Sequence, residues 1–454
     1  MSGARAASRP EGQAQPATRL PRRLDRARQV LLLLALVAYG LFLAVDETGM
    51  LLLLVNSPAN DFYDYWSGAQ SLVEGRELYG WLAVPRPAGR PLEYVYPPPL
   101  ALLLAGPAAV LDFPTARVLW LAFSALCLVL ALRLIWQRWA RDDADHQRLV
   151  AAVWLPLLPA TTWALGIGQL SPQLLLLFAG AYAALSARRP ILAGCLLALG
   201  AAIKVFPAFV GGYLLLRHNW RAAIGGVVCG VSIVALTALV VGWEPYRTYL
   251  TEVVPAQRRI FAAPFNVSVV GFFTRLLAEN PYTKPVVGAS GAATAAVALC
   301  TTALLVATAY GVWQDRLAAD GAASYALVVT ATLLVAPING RYNLVIALLP
   351  LAVAANGAQA RWPHGRAWLL LAAVLLSLPV ELYDLWPVRY FYAVQFPTLD
   401  LTELPWRQGW GNLLTAGPLL GLLVLWAVLL RQCSVPLPGA GTGQRRLAGD
   451  GLAA

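Results

Sequence analysis

Residues 30–45 read VLLLLALVAYGLFLAV, an uncharged apolar run that follows seven arginines within the first 29 residues. Apolar runs of roughly 15–22 residues are near the length that crosses a hydrocarbon core of about 30 Å. Because basic residues favour the cytoplasmic side, the run predicts a first membrane span with a cytoplasmic N-terminus. The run could also be the apolar region of a secretory signal, but no clear small-x-small cleavage site follows it.

Similar runs recur along the whole chain, in which 59% of the 454 residues are hydrophobic and 13% are charged. Lipid is therefore the main solvent, and segments that cross it must satisfy their backbone hydrogen bonds as helices. This composition predicts an all-α polytopic membrane protein with about twelve transmembrane helices. The spans predicted after the first are residues 116–136, 149–165, 170–187, 190–203, 205–217, 222–242, 287–313, 322–337, 342–356, 367–381 and 411–430.

This topology places both termini in the cytoplasm and leaves three long external segments. The stretch Pro98 to Leu111 is short and interrupted by proline, so we interpret it as an interfacial helix within the first external loop. Lys and Arg are concentrated in the cytoplasmic segments, as the positive-inside rule requires, whereas the external segments are slightly acidic. The net charge of +11 therefore reflects topology, and nucleic-acid binding is disfavoured.

The predicted organisation has four parts. A basic cytoplasmic tail precedes an N-terminal transmembrane module that would carry catalysis, and a C-terminal transmembrane module precedes a second cytoplasmic tail. Function is expected on the outer face of the cell membrane, where the loops are long and chemically varied. The parts are residues 1–29, residues 30–242 with external loop 46–115, residues 243–430 with external loops 243–286 and 382–410, and residues 431–454.

The first external loop contains two carboxylates, Asp61 and Asp64, within the aromatic sequence NDFYDYW. A spacing of three residues places both on one face of a short helix near the membrane surface. A carboxylate in this position could act as a general base. The alternative is an ordinary polar loop or a helix N-cap.

Lys204 interrupts the apolar segment Gly194 to Leu216 and is followed by Pro207. A cation within a membrane span is costly and is by default a candidate functional residue. A phosphate group would be a suitable partner. The alternative is a lysine at a helix end whose ammonium reaches the external interface.

Two short external turns, Gly168 to Ser171 and Pro337 to Asn343, also bring polar groups to the membrane surface. Both are rich in turn-forming residues and could be plain turns. Arg341 is the stronger candidate because it is a fixed charge between apolar spans. For Tyr94 and Tyr96, the alternative to a functional role is an interfacial aromatic belt.

Other chemistry is not indicated. The three histidines have no metal-ligand spacing to the five cysteines, so a zinc site is not expected. The sequence contains no Walker or dinucleotide-binding glycine motif. Asn266 and Ser268 form a glycosylation sequon, which is a common chance match.

The ordered set of motifs resembles glycosyltransferase family 87, a group of polyprenyl-phosphate-sugar-dependent enzymes in the C-type superfamily that includes mannosyltransferases. The resemblance runs from about Asn60 to Pro350. The matching motifs are Asp61-Phe62-x-x-Tyr65, Gly75-x-x-x-Tyr79, Tyr94-x-Tyr96-Pro97-Pro98, Gly168-Gln169, Lys204-x-x-Pro207 and the Arg217/Trp220-Arg221 turn.

The resemblance implies a C-type glycosyltransferase fold and inverting transfer of a sugar, with mannose favoured, from a polyprenyl phosphate to a hydroxyl of a lipid or glycan acceptor. It implies that Asp61 is the catalytic base and that Lys204 binds the departing phosphate. Because a polyprenyl monophosphate carries fewer negative charges than a nucleotide diphosphate, two or three basic or polar groups could replace a metal, so no metal or cofactor is expected. The other predicted substrate-binding residues are Asp64, Tyr65, Tyr94, Tyr96, Gln169 and Arg341.

One departure from the family pattern concerns the donor sugar. Many relatives carry Trp and His after the Pro-Ile equivalent, whereas Pro337-Ile338 is followed here by Asn-Gly-Arg-Tyr-Asn. The family also contains arabinofuranosyltransferases, so the sugar is open. Two other functions fit the sequence: a flippase or transporter of lipid-linked sugars, and a non-catalytic assembly subunit.

Overall fold

The computed structural model describes residues 61–83, 94–140, 144–317, 321–361, 364–379 and 400–434. The predicted first span at 30–45, the N-terminal tail, and the parts of the external loops at 46–60, 84–93 and 382–399 lie outside these residues. The same holds for the C-terminal tail after residue 434.

The described residues form helices connected by short turns, and none of them belongs to a β-strand. Only isolated bridges pair extended backbone, Asn266 with Gly340 and Lys284 with Gln408. The prediction of an all-helical protein is confirmed. The α-helices are α1 (Asp61–Val73), α2 (Pro98–Val110), α3 (Phe113–Trp139), α4 (Ala144–Trp154), α5 (Leu158–Gly166), α6 (Ser171–Ser186), α7 (Pro190–Ile203), α8 (Ala208–Leu216), α9 (Trp220–Val241), α10 (Glu244–Thr248), α11 (Val254–Ala256), α12 (Val269–Leu277), α13 (Ser290–Gln314), α14 (Ala322–Val335), α15 (Leu348–Arg361), α16 (Gly365–Ser377) and α17 (Gly417–Ser434).

Shorter helical turns complete the secondary structure. A π-helical turn at Tyr249–Val253 joins α10 to α11. The 3₁₀ turns are Gly80–Ala83, Leu155–Leu157, Gln257–Ile260, Asp315–Leu317, Arg341–Ala347, Leu401–Glu403, Pro405–Arg407 and Gly409–Thr415.

Five helical segments in the described part of the chain are long and apolar enough to cross a membrane. They are Phe113–Trp139, Ala144–Gly166, Trp220–Val241, Ser290–Gln314 and Gly417–Ser434. The chain is thus a multi-pass membrane protein in which the five segments agree with predicted spans; the total of twelve stays a prediction. The last helix begins later than the predicted span 411–430, since Pro418 lies in the first turn of α17, where proline is tolerated.

Two of these helices expose apolar side chains on most of their surface. In α9 the side chain of Leu239 is 82% exposed, and in α13 that of Leu299 is 73% exposed. Contiguous apolar surface of this kind is unfavourable in water and suits a hydrocarbon environment. These helices therefore form part of the lipid-facing surface.

The centre of the fold is α14, which is buried along nearly its whole length. It packs against α8, α13, α15 and α17. Its Tyr325 hydroxyl donates a hydrogen bond to the Phe178 carbonyl of α6 at 2.9 Å. A helix that is apolar on all sides belongs in a core, and α14 provides the support on which the surrounding helices are arranged.

Candidate active site

The site is built around the turn between α5 and α6, which presents Gln169. Gly168 has a φ of 72°, a left-handed conformation that glycine adopts without the steric cost of a Cβ atom. The Trp120 indole of α3 donates to the Gly168 carbonyl at 2.7 Å. The backbone amide of Phe62 donates to the neighbouring Ile167 carbonyl at 3.3 Å, so the start of α1 is fixed to this turn.

The side-chain amide of Gln169 joins Asp61 to Lys204. Its Nε2 atom donates to Asp61 Oδ2, and its Oε1 atom accepts from Lys204 Nζ at 3.0 Å. The Gln169 side chain is only 1% exposed, so this amide is held in place. Three residues that the sequence predicted separately thus form one hydrogen-bonded chain.

Lys204 reaches this position because α7 ends just before it. A helix continuing through Pro207 would clash with the carbonyl at position 203, and Lys204 accordingly has an extended backbone, with φ of −155° and ψ of 123°. Its Nζ lies 3.4 Å from Asn343 Oδ1, an atom that also accepts from Ser171 Oγ at 2.8 Å. The ring of Tyr342 is 5.1 Å from the ammonium.

Lys204 makes no ion pair with any carboxylate in the described ranges. Its hydrogen-bond partners are neutral amide oxygens, and the Asp61 carboxylate on the other side of Gln169 offsets its charge only in part. An ammonium in such a setting retains the capacity to bind an anion. The arrangement suits a phosphate group better than a purely structural role.

The environment of Asp61 alters its acidity. Burial raises the pKa of this carboxyl group above its ordinary value of 3.8, while the Gln169 hydrogen bond and the Lys204 charge act in the opposite direction. A carboxylate with a raised pKa is a stronger base. Asp61 can therefore accept a proton from a hydroxyl group more readily than an exposed aspartate.

Tyr65 and Tyr96 form the aromatic side of the site. The Tyr65 hydroxyl lies 3.3 Å from the Tyr96 hydroxyl and 3.4 Å from Gln169 Oε1. The two rings meet edge to face, with their centroids 4.7 Å apart, and the Tyr96 ring lies 5.9 Å from Lys204 Nζ. The structure therefore brings both predicted tyrosines to the Asp61, Gln169 and Lys204 chain.

Tyr94 lies beside this cluster and supports it. Its hydroxyl donates to the Pro97 carbonyl at 2.6 Å and accepts from the Ala101 amide at 2.9 Å, which ties down the start of α2. Its ring packs directly on Gly68 of α1, where a Cβ atom would clash. These contacts position the segment that carries Tyr96; a direct contact between Tyr94 and substrate stays a prediction.

The other two predicted residues lie at the edge of the cluster. Asp64 is one turn after Asp61 in α1 and partly buried, but Asp61 is the carboxylate bonded to Gln169. Arg341 is 7% exposed, and its guanidinium lies 5.8 Å from the Trp163 ring, within cation–π range. The Arg341 segment reaches Lys204 through the following residues, Tyr342 and Asn343.

Asn266 fixes this segment and was not predicted as a site residue. It is fully buried; Oδ1 accepts from the Asn339 amide at 2.9 Å, and Nδ2 donates to the Pro337 carbonyl at 2.9 Å. Nδ2 also bonds the Phe261 carbonyl, at 2.9 Å. The sequon asparagine is thus a structural clamp. Asn343 and Ser171 were also missed, because a short asparagine-rich or serine-containing turn gives no sign of its long-range partners.

The residues described here contain no group of three or more His, Cys, Asp or Glu side chains that could hold a metal ion. What the geometry provides is a carboxylate with a raised pKa, a buried amide, and an ammonium without a carboxylate partner. This combination suits proton removal at one end and anion binding at the other.

Comparison with known proteins gives the context for this site. The model of glycosyltransferase family 87 matches residues 94–337, which include Tyr96, Gln169 and Lys204 and exclude Asp61 and Arg341. No solved structure matches the chain.

Three curated relatives come from mycobacteria. A polyprenol-phosphate-mannose-dependent alpha-(1-2)-phosphatidylinositol pentamannoside mannosyltransferase of Mycobacterium tuberculosis is 27% identical over 364 residues, 78% of this chain and 77% of the relative. The protein of the same name from Mycolicibacterium smegmatis is 29% identical over 371 residues, 79% of this chain and 83% of the relative. A phosphatidylinositol mannoside mannosyltransferase of M. tuberculosis with the same stated donor is 30% identical over 230 residues, 47% of this chain and 52% of the relative.

The family model covers more than half of the chain, and the similarity to the two pentamannoside enzymes extends over most of it. The long apolar helices are those of a membrane protein. The chain therefore belongs to glycosyltransferase family 87 and is a membrane glycosyltransferase.

Proposed function

We propose that this enzyme transfers a mannosyl group from a polyprenyl phosphate to a hydroxyl of a lipid or glycan acceptor. The named donor of the mycobacterial relatives supports this donor class, and their acceptors are phosphatidylinositol mannosides. The acceptor of this chain belongs to the same broad chemical class, a membrane-anchored molecule with sugar hydroxyls.

In the proposed reaction, the Asp61 carboxylate takes the proton of the acceptor hydroxyl. The acceptor oxygen forms a bond to the anomeric carbon as the bond between that carbon and the phosphate oxygen breaks. Polyprenyl phosphate leaves with the electron pair of the broken bond. Since the nucleophile attacks opposite the leaving group, the anomeric configuration inverts.

Lys204 stabilises the charge that develops on the leaving phosphate. A fixed cation at this point favours the transition state over the ground state, because the negative charge on the phosphate grows as the bond breaks. Arg341 is a second candidate phosphate ligand. A monophosphate leaving group has fewer negative charges than a nucleotide diphosphate, so basic side chains can take the place of a metal ion.

The observation that carries this proposal is the position of Gln169 between the base and the cation. A direct ion pair between Asp61 and Lys204 would occupy both groups. The intervening amide bonds each of them while keeping them apart, so Asp61 stays available for a proton and Lys204 for a phosphate. Tyr65 and Tyr96 line the same space and are candidates for contact with the sugar.

The proposed topology has twelve spans and a C-type glycosyltransferase fold, with both termini in the cytoplasm. Helices α1 and α2 lie in the first external loop, and the site faces outside. The amphipathic character of α1 supports this placement, because its acidic first turn and buried aromatic residues fit a helix at the membrane surface.

The test is transfer of label from radioactive polyprenyl-phosphate-mannose to total membrane lipid by the purified protein. We expect a new labelled product, and a rate about 10²–10⁴ lower for Asp61→Asn because a general base is removed. Asp112→Asn is the matched control, since Asp112 is an exposed N-cap of α3 and asparagine is equally suited to that position.

Two outcomes would contradict the proposal. If Asp61→Asn transferred sugar at the wild-type rate, Asp61 would not be the base. A parallel assay of Asp64→Asn would then show whether the second carboxylate takes that role. Movement of label across a vesicle membrane without a new covalent product would favour a flippase or transporter.

A further inference from the structure

The side-chain amide of Asn343 has a fixed orientation beside Lys204. Its Oδ1 atom accepts from Ser171 Oγ at 2.8 Å and lies 3.4 Å from Lys204 Nζ. An ammonium has only N–H donors, so the atom that faces it must be the oxygen and not the nitrogen of the amide. Asn343 is 1% exposed and Ser171 is fully buried, so both side chains are held in this arrangement.

With its oxygen facing Lys204, the Asn343 amide has two N–H groups left to donate. In the part of the chain that the structure describes, Asn343 Nδ2 donates to no backbone or side-chain acceptor. A buried N–H group without an acceptor is unfavourable, and such groups are rare in folded proteins. The two N–H groups therefore require an acceptor that the described residues do not supply.

Gln169 is the other amide at Lys204, and its nitrogen does have a partner. Its Oε1 atom accepts from Lys204 Nζ at 3.0 Å, and its Nε2 atom donates to the Asp61 carboxylate. Asn343 presents the same kind of oxygen to the same ammonium. Among the described residues, one amide at the cation is thus bonded to an anionic side chain and the other is not.

Lys204 also retains a donor of its own. An ammonium carries three N–H groups, and the described residues accept from Lys204 Nζ at two atoms, Gln169 Oε1 and Asn343 Oδ1. The third N–H of Lys204 and the two of Asn343 Nδ2 belong to neighbouring groups, and all three are donors. Donors clustered at a cation suit an anion with several acceptor oxygens, and a phosphate is such an anion.

We propose that Asn343 Nδ2 donates a hydrogen bond to the phosphate of the polyprenyl phosphate donor, and that Ser171 positions the amide for this bond. The inference rests on the proposed function for the identity of the donor. Because Gln169 Nε2 is already bonded to Asp61, the phosphate lies at the Asn343 amide, away from the amide that holds the base. This separation suits inversion, in which base and leaving group act on opposite faces of the anomeric carbon.

The test is binding of polyprenyl phosphate, without sugar, to the purified full-length protein in nanodiscs. Asn343→Leu removes the amide at similar size and adds no charge. We expect its Kd to rise about 10–100-fold, the effect of losing a hydrogen bond to a charged group. Polyprenol, which has no phosphate, should bind Asn343→Leu as it binds wild type.

A second variant, Asn343→Asp, replaces Nδ2 by an oxygen and places a carboxylate beside Lys204. It should also weaken binding of polyprenyl phosphate, because the new carboxylate pairs with the ammonium in place of the phosphate. If only Asn343→Asp weakened binding, the effect would come from the added charge, and Asn343 Nδ2 would not be a phosphate ligand.

Asn412→Asp is the matched control. Asn412 is 2% exposed, and its Nδ2 atom donates to the Gly409 carbonyl at 2.9 Å rather than facing Lys204. It should leave the Kd for polyprenyl phosphate within about twofold of wild type, since distant sites act independently. Asn343→Asp should lose less thermal stability than Asn412→Asp, because the Lys204 ammonium is there to pair with the new carboxylate.

Ser171 is proposed to act through Asn343, and a double-mutant cycle tests this. Ser171→Ala should raise the Kd for polyprenyl phosphate about two- to tenfold, as the loss of one neutral hydrogen bond does. In the Asn343→Leu background, Ser171→Ala should have no further effect, because no amide is left to orient. Equal losses in the two backgrounds would contradict the positioning role.

Two further results would overturn the assignment of Asn343. One is an unchanged Kd for polyprenyl phosphate in Asn343→Leu. The other is a loss measured with polyprenyl-phosphate-mannose but not with polyprenyl phosphate, which would place the hydrogen bond on the sugar. Binding of polyprenyl phosphate that depends on Asn343, without sugar transfer, would leave the assignment intact and contradict the proposed function instead.

Discussion

Lys204 Nζ donates a hydrogen bond to Gln169 Oε1 over 3.0 Å, although the two residues lie in different connections between helices and are 35 positions apart. The opposite end of the same amide is bonded to Asp61. Because Gln169 is bonded to both groups, the separation of base and cation is set by one buried side chain.

The first prediction concerns the charge of Lys204. We expect Lys204→Gln to lower kcat about 10²–10³-fold, since removal of one preorganised donor to a developing negative charge has an effect of this size. The other lysine of the chain provides the control. Lys284 is about half exposed and pairs with Glu403, so Lys284→Gln should leave transfer within about twofold of wild type. Equal losses in the two variants would argue against a specific role for Lys204.

The second prediction concerns pH. Asp61 acts as a base only when deprotonated, so kcat/KM falls as the pH drops through its pKa. Because burial raises that pKa above the ordinary value of 3.8, the acid limb of the pH profile lies at a correspondingly higher pH. In Gln169→Leu the hydrogen bond that lowers the pKa is lost, so the acid limb should move to higher pH.

The control for this pH experiment is Gln173→Leu. Gln173 is one turn further along, in α6, and bonds Ser124 at 2.8 Å rather than Asp61. Its profile should coincide with that of wild type in the position of the acid limb. A limb that stays at the same pH in Gln169→Leu would show that Asp61 is not the titrating base.

The third prediction concerns the clamp at Asn266. In Asn266→Asp an oxygen replaces the amide nitrogen that faces the Phe261 and Pro337 carbonyls, so two hydrogen bonds are lost and buried oxygens oppose one another. We expect a loss of about 1–3 kcal/mol in the free energy of unfolding. We also expect a raised KM for the donor, because the loop that carries Tyr342 and Asn343 is no longer held.

Thermal unfolding and steady-state kinetics in nanodiscs measure the two effects. Asn280→Asp is the control, because it loses comparable bonds, from Asn280 Nδ2 to the Ala278 carbonyl and to Thr283 Oγ1, in a turn outside the segment of Tyr342 and Asn343. It should lower the unfolding temperature and leave the KM for the donor unchanged. If Asn266→Asp unfolds at the wild-type temperature with an unchanged KM, the clamp has no part in positioning the site. Mass spectrometry should find Asn266 without a glycan, since its amide is buried.

The local features of the fold followed from the sequence. The run at 222–242 predicted the helix observed as Trp220–Val241, and the predicted spans 190–203 and 205–217 placed a helix end before Lys204, which is observed at Ile203. Both depend on neighbours along the chain: apolar length sets a span, and the proline ring excludes helix four residues before it. The count of twelve spans depends on segments outside the described residues and stays a prediction.

The sequence by itself determined an all-helical membrane protein and marked Asp61, Gln169 and Lys204 as three separate candidates. Only the tertiary structure decided that one amide joins them, that Tyr94 braces the backbone, and that Asn343 and Asn266 belong to the same arrangement. The physical reason is the separation along the chain over which each kind of interaction acts. Hydrophobic length and turn chemistry act over a few residues, whereas the hydrogen bonds of Gln169, Asn343 and Asn266 named here link residues from 35 to 139 positions apart, which only helix packing brings together.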